Sequence, residues 1–429
     1  MKALIIGLNY APEKVGIGPY TTGVAEALAT AGHDVQVVTA PPYYPAWSVG
    51  SADRGGWRRE TRNGVRLVRC PLYVPRRPNG LKRVLHHLSF ALSVLGPVLV
   101  AAAWRRPRLV IAVAPSLASV PMAWAAAKLA RAPLWLHVQD FEVEAAFATG
   151  LIARRGWMQR LALSIENRLL RSADLVSSIS PQMTRKLVDK GVDPDRVREL
   201  RNWAEDKWTS TPAGVARYRE EWSLGDRQVA LYSGNIAAKQ GIGLLIEAAR
   251  LLAGRSDIAL VICGEGPNRA ALEEAATGLA NVHLHPLQPQ ERMGDLLALA
   301  SVHLLPQLPD AADLVLPSKL ANMLGSGRPV VATAAPRTGL YDEVAGCGIA
   351  VIPGDAQALA DAIAVLVDDP LRREALGSTA KARARKRWSR RALLARFVDT
   401  AQSLAHYGRL RIPDADDSGA DDEADKATV

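Results

Sequence analysis

MKALIIGLNYAPEKVGIGPYTTGVAEALATAGHDVQVVTA, residues 1–40, is the stretch that decides the fold. Its opening, KALIIG, is apolar at every position after the lysine, which reads as a strand buried on both faces. TGVAEALATAGHDV then carries its apolar residues at helical spacing and meets a stop signal at Gly32. DVQVVTA, residues 34–40, is a second buried strand. A strand, a helix and a strand in this order make the first unit of a doubly wound parallel sheet.

Between the first strand and the helix lies GLNYAPEKVGIGPYT, residues 7–21. A glycine-rich turn at that point commonly holds phosphate. The dinucleotide fingerprint, however, places its first glycine directly after strand one and an acid at the end of strand two. Here Gly16 and Gly18 arrive late in the loop, Pro19-Tyr20-Thr21 stands where a third glycine belongs, and strand two runs out in Thr39-Ala40-Pro41. That disfavours a dinucleotide-dependent dehydrogenase. A loop of this length projects above the sheet edge into a cleft. Gly16 and Gly18 let backbone N–H groups approach a donor diphosphate there, with an ordinary surface loop as the alternative. Tyr10 and Tyr20 in the same loop are candidates for meeting an acceptor.

The same alternation continues outward. In the first half VRLVRC, RLVIAVA, PLWLHV and DLVSSIS read as further strands. In the second half QVALYSG, IALVICG, NVHLHP, VHLLPQ, RPVVAT and GIAVIP do so, with helical stretches between them. The 429 residues suit two domains of roughly 200 each. The expected division is a first domain over 1–205 and a second over 206–384, with ELRNWAEDKWTSTPAG as the linker. A basic helical stretch at about 370–408 follows. The tail 413–429 is acidic, lacks aromatics and is expected to be disordered. Cys70, Cys263 and Cys347 are scattered without a CxxC pair, which argues against a zinc site or a disulfide framework and fits a reducing cytosol. The first apolar run is a short strand entering a polar loop, so no signal peptide is expected.

Charge is uneven. The chain carries a net +10, and residues 1–200 hold 27 Lys and Arg against 14 Asp and Glu. The excess is concentrated in 54–108, and it implies attraction to an anionic surface or a solvated basic face. Nucleic acid is disfavoured by the lack of zinc-finger spacing and of an RNP-like aromatic motif. Among the charges lies LSFALSVLGPVLVAAAW, residues 88–104, 17 residues without a charge. As a helix it covers about 25 Å, short of a roughly 30 Å hydrocarbon core, and Pro97 interrupts it. A buried helix, or one lying in a membrane interface with basic flanks at the headgroups, fits better than a span.

Three segments of the second half fall at predicted strand ends, where doubly wound sheets bind ligands. LYSGNIAAKQG, residues 231–241, offers Gly234, Asn235 and Lys239, the last placed to reach a diphosphate. CGEGPNR, residues 263–269, is a glycine turn with Gly264, Glu265 and Gly266. LVLPSKLANMLGSGRPVVAT, residues 314–333, reads as a helix start at Pro317-Ser318-Lys319. Its free N–H groups, with Lys319, would stabilise a departing phosphate, and Leu320 and Asn322 lie on the donor side of the same helix.

These motifs, together with LHVQDFEVEAAF and RNWAE, resemble the GT-B fold retaining glycosyltransferases of family 4, and within them the colanic-acid-type exopolysaccharide subgroup. The resemblance covers nearly the whole chain to about residue 410, and it implies an acceptor-binding domain over 1–205, a donor-binding domain over 206–384 and a final helix, about 385–410, that crosses back to the first domain. It implies transfer of a sugar from a nucleoside diphosphate sugar to a saccharide acceptor, lipid-linked, with retained configuration. It implies no metal and no cofactor, and a cytoplasmic location, peripheral on the inner face of the cell membrane. By residue, Lys239 matches the family's basic group at the diphosphate, while Asn235 stands where relatives carry Arg. The family's paired glutamates are degraded: Asn322 holds the second position, which serves the ribose, and the first falls on Leu314 beside Asp313, the expected contact to the donor sugar. Asp140 in QDFEVE is expected to orient or deprotonate the acceptor hydroxyl, or to serve as a plain cap. His137, inside the preceding strand, is expected either near the acceptor or as a structural histidine. The alternatives are a nucleotide-sugar 2-epimerase on the same architecture and a non-catalytic membrane-associated assembly partner.

Overall fold

The structure is a computed structural model that describes residues 1–13, 16–76, 79–141, 156–205, 208–236, 240–308 and 316–408. Lys239, Asp313, Leu314 and the tail 413–429 lie outside the described residues. The chain divides into two compact units. One comprises Met1–Ser178, Thr184–Leu200 and the chain from Leu394; the other comprises Ile179–Met183 and Arg201–Leu393.

The first unit is built in the order β1 (Lys2–Gly7), α1 (Gly18–Thr30), β2 (Asp34–Thr39), β3 (Arg58–Arg62), β4 (Val65–Arg69), α2 (Gly80–Val100), β5 (Leu109–Ala114), α3 (Val120–Ala130), β6 (Leu134–Val138), α4 (Gly156–Arg171) and β7 (Leu175–Ser178). After α5 (Pro181–Asp189), β8 (Val197–Glu199) closes the sheet. The eight strands lie in the order β3-β4-β2-β1-β5-β6-β7-β8. β1 sits at the centre, with Lys2 opposite Asp34 of β2 and Ala3 opposite Leu109 of β5. Covered on both faces, its residues Ala3–Ile6 are buried, which is why the run is apolar without alternation.

The second unit follows with α6 (Pro212–Glu221), β9 (Gln228–Ser233), α7 (Gly243–Leu251), β10 (Ile258–Cys263), α8 (Arg269–Ala275), β11 (Val282–His285), α9 (Met293–Leu299), β12 (Val302–Leu305), α10 (Lys319–Gly325), β13 (Val330–Thr333), α11 (Gly339–Val344), β14 (Gly348–Val351), α12 (Ala356–Asp368) and α13 (Pro370–Arg387). Its six strands are all parallel, in the order β11-β10-β9-β12-β13-β14. α14 (Arg390–Tyr407) ends the described chain.

All the apolar runs read as strands lie in these sheets. Two strands went unforeseen, both at edges. β3 is RRETR, antiparallel to β4, and β8 is three residues long. Neither buries enough apolar surface to show a pattern. The single basic helix expected at about 370–408 is broken into α13 and α14 at Trp388-Ser389, where Ala204 donates its N–H to the Trp388 carbonyl at 2.9 Å. Beyond that break Phe397 of α14 stacks on Trp135 of β6 at 4.2 Å between ring centroids. α14 is thereby packed on the first unit's sheet.

α2 needs its own account. Asn79 caps it, its side-chain oxygen accepting from the Lys82 N–H at 3.0 Å. With the short π-helical extension Ala101–Arg105, the segment Gly80–Arg105 is, among the described residues, the one helix long and apolar enough to cross a membrane. It is nonetheless packed into this unit, with His86, Phe90, Val94 and Val98 buried at every fourth position.

Candidate active site

The second unit brings Gly234, Asn235, Gly264, Glu265 and Gly266 together at the C-terminal ends of β9 and β10. Gly234 and Gly264 end these adjacent strands, and the two turns lie backbone against backbone. Gly234 donates its N–H to the Cys263 carbonyl at 2.9 Å, and Ile236 to the Glu265 carbonyl at 2.8 Å. A Cβ on Gly264 would overlap the Gly234 carbonyl oxygen, and one on Gly266 would overlap that of Ile236. The glycines were read as openings for a ligand. The structure gives Gly264 and Gly266 another reason: the neighbouring turn occupies the space. Asn235 and Glu265 are exposed beside them.

Lys319 completes the cluster. Ser318 is the N-cap of α10, as the sequence indicated, but its hydroxyl makes no capping bond. Lys319, the first helical residue, turns its ammonium over the Tyr232 ring, 3.9 Å from the centroid. Gly234 has a φ of +151°, and a Cβ there would stand 3.1 Å from Lys319 Nζ. The Tyr232 hydroxyl in turn donates to the Asn235 carbonyl at 2.7 Å. Lys319 has no ion pair among the described residues, and burial lowers its pKa to about 7. An aromatic face offsets part of the cost of holding an ammonium there, though less than a carboxylate would.

Two neighbours on α10 are otherwise engaged. Leu320 is fully buried in the second unit's core, so its side chain faces away from any donor. Asn322 accepts the Glu205 N–H on its side-chain oxygen at 2.8 Å, which ties α10 to the segment RNWAE and leaves the amide nitrogen for a hydroxyl.

In the first unit the loop after β1 is organised by Glu13, which sequence reasoning passed over. Its carboxylate accepts from the Tyr43 and Tyr44 N–H groups at 3.0 Å each and from Asn9 at 2.9 Å. A lone acid in a glycine-rich loop was the signal available. Burial raises its pKa, and those hydrogen bonds oppose the shift. The two loop glycines fit around it. Gly16 has a φ of +70° and lies against the Tyr44 ring, while a Cβ on Gly18 would stand 3.1 Å from Cβ of Glu13. Tyr10 was expected to meet an acceptor, but its side chain is buried beneath Arg69 and presents no face to one. Arg69 Nη2 donates to the Ala11 carbonyl, which locks the same turn. Tyr20 is half-buried at the start of α1.

His137 lies within β6, buried, with Nδ1 2.8 Å from the Ser177 hydroxyl and its ring edge-on to Phe397. Burial lowers its pKa to about 4, so the ring is neutral near pH 7 and packs as a structural histidine. Asp140 follows the end of β6, half-buried between buried Gln139 and Phe141. It thus stands just past the C-terminal end of β6. Among the described residues no group of three or more His, Cys, Asp and Glu side chains is placed to hold a metal ion.

This arrangement is two nucleotide-fold units, one with a cation over a glycine turn. Residues 15–203 match the family model described as a glycosyl transferase 4-like domain, and residues 227–369 match glycosyl transferases group 1. The chain is 41% identical over 370 residues to WcaI of Escherichia coli K12, named for a glycosyl transferase role in colanic acid biosynthesis; the match spans 84% of this chain and 90% of that protein. The chain belongs to the family 4 glycosyltransferases. A second relative is the GDP-mannose-dependent alpha-(1-6)-phosphatidylinositol monomannoside mannosyltransferase of Mycolicibacterium smegmatis, 27% identical over 92% of this chain and 97% of that one. Among solved structures, HepE of Anabaena in complex with UDP superposes with a TM-score of 0.68 at 16% identity, covering 94% of this chain and all of HepE. The architecture of this glycosyltransferase is the GT-B fold. Its kinship with WcaI favours a transferase over an epimerase, and the enzyme over a non-catalytic partner.

Proposed function

We propose that this glycosyltransferase moves a sugar from a nucleoside diphosphate sugar to a lipid-linked saccharide acceptor in the assembly of a surface polysaccharide. The proposal includes retention of the anomeric configuration, no metal or other cofactor, and action at the inner face of the cell membrane. The second unit takes the donor and the first takes the acceptor.

The observation that carries the reading is the Lys319 ammonium, held over Tyr232 beside the Gly234 turn with no carboxylate partner among the described residues. A diphosphate supplies a counter-anion to a cation in that setting. Lys239 is assigned to the same oxygens through its match to the family motif. As the glycosidic bond to the donor breaks, negative charge grows on the leaving phosphate. A preplaced ammonium stabilises that charge more than it stabilises the ground state, by an amount on the order of 3 kcal/mol for one such group. Asp140 is assigned to orienting the acceptor hydroxyl, whose proton passes to the leaving phosphate. Asn322 is assigned to the ribose and Asp313 to the donor sugar.

Polysaccharide assembly is supported by the kinship with WcaI. Attachment to a membrane is supported by the outer face of α2, where Leu81, Leu92 and Trp104 are each at least 70% exposed. Its inner stripe is core, so lying in the interface keeps the fold intact where a span would strip that stripe away. Titration calorimetry with UDP, GDP and other nucleoside diphosphates tests the donor site. At least one should bind, and Lys319→Met should weaken it about 100-fold. Failure of every diphosphate to bind, or unchanged binding by the variant, would overturn the donor assignment.

A further inference from the structure

α2 is apolar on two faces. The inward stripe is core, and the outward stripe of Leu81, Leu85, Leu88, Leu92 and Trp104 is between 47% and 79% exposed. Single exposed leucines are ordinary, but a stripe continuous along a helix marks an interaction surface. At its C-terminal end the stripe runs into an open groove of about 1250 Å³. One wall is apolar, made by Trp57, Pro97, Val100 and Trp104; the charged lining carries Arg59, Arg66 and Arg105 together with Glu60, whose carboxylate is paired with Arg69.

Both walls are built. Pro97 has no N–H, which frees the Ser93 carbonyl four residues back, and the Trp57 indole donates to that oxygen at 2.9 Å. The indole is thereby held at the groove while its residue stays 59% exposed. In the charged lining, Arg66 and Arg105 share a single carboxylate, Asp34. Arg59, on edge strand β3, has no ion pair among the described residues. The charged wall therefore keeps an excess of positive charge facing exposed indoles.

We propose that this groove binds a phosphate-bearing lipid. The guanidiniums take the phosphate, while Trp57, Val100, Trp104 and the outer face of α2 take the hydrocarbon chain. A free phosphate would leave the indoles in water, and an uncharged lipid would leave the positive charge in excess over Asp34 unneutralised, so an anionic amphiphile is what satisfies both walls. The inference rests on the reading that the outer face of α2 meets a membrane, and the two can fail separately.

The test is calorimetry on the full chain with a short-chain phosphatidic acid kept below its micellar concentration, alongside flotation with phosphatidylglycerol vesicles. The monomeric lipid should bind saturably at one site, and Arg59→Glu and Trp104→Ser should each weaken it about tenfold without moving the unfolding midpoint. Arg59→Gln replaces the charge reversal if that disturbs β3. Inorganic phosphate and a short-chain diacylglycerol should not compete. Vesicle binding without monomer binding overturns the groove and leaves the membrane reading standing; loss of both overturns both. Equal binding by wild type and variants, or competition by inorganic phosphate at the same concentration, also overturns the groove.

Discussion

Lys319 is the residue on which the proposed chemistry turns, and its behaviour with pH is a direct consequence of its surroundings. The folded protein holds its pKa near 7, well below an ordinary lysine, because burial disfavours the charged form. A bound diphosphate favours the charged form and raises that value. Above the free-state pKa, binding must therefore take up a proton. Donor affinity should be flat below about pH 7 and should fall by up to about tenfold per pH unit above it. Calorimetry with a sugar nucleotide, whose diphosphate does not titrate in this range, measures it; affinity that rises with pH would contradict the role. Lys319→Met should remove this pH dependence along with the affinity, and it should leave stability unchanged or improved because it removes a buried ammonium that has no ion pair among the described residues. The sequence showed a basic residue at a helix start, but not Tyr232 beneath it. That pairing is made across the fold, between α10 and the end of β9. Tyr10 shows the converse: an aromatic in a glycine-rich loop promised a ligand contact, yet the loop folds back over it under Arg69.

Among the elements, the two glycine turns after β9 and β10 are the most constrained. Gly264→Ala places a methyl on the Gly234 carbonyl, and only backbone movement relieves it. The cost should be about 3 kcal/mol, seen as a lowered midpoint in urea, with nucleotide binding impaired because the Gly234 turn shifts. Normal stability would show that the turns part more readily than their contact implies. In the first unit, Glu13→Ala would leave the Tyr43 and Tyr44 N–H groups without their acceptor, at a cost of about 2–3 kcal/mol. Glu13→Gln should retain most of that stability, since an amide oxygen accepts the same bonds. At this scale strands with continuous apolar runs were legible because burial on both faces dictates composition. β3 was not, because an exposed edge strand places no demand on its side chains. The glycines were legible as turns, but their cause was not: a glycine spared for a ligand and one spared for another backbone read alike in a sequence.

In the molecule as a whole, the division into two nucleotide-fold units was legible from the repeated alternation of apolar runs and helices. What lay beyond it was the placement of α14. Phe397 stacks on Trp135 and meets His137 edge-on, so α14 is held to the sheet of the first unit by an aromatic contact whose partners are about 260 residues apart. Phe397→Ala should cost about 3 kcal/mol and should make the end of the chain more open to proteolysis; protection equal to wild type would count against that anchoring. The charge imbalance was equally plain in the sequence, whereas the groove beside Trp57 and Trp104 required the helix and the edge strand to be brought together. The central claim, sugar transfer from a nucleotide donor to a lipid-linked acceptor, is met most directly by one measurement. Purified protein is incubated with radiolabelled nucleotide sugars and a membrane lipid extract, and the label in the organic phase is counted. The account predicts that label from at least one donor enters the lipid fraction and that Lys319→Met and Lys239→Ala each reduce its rate about 100-fold or more. No label in lipid from any donor, or release of free epimerised nucleotide sugar in its place, would contradict it.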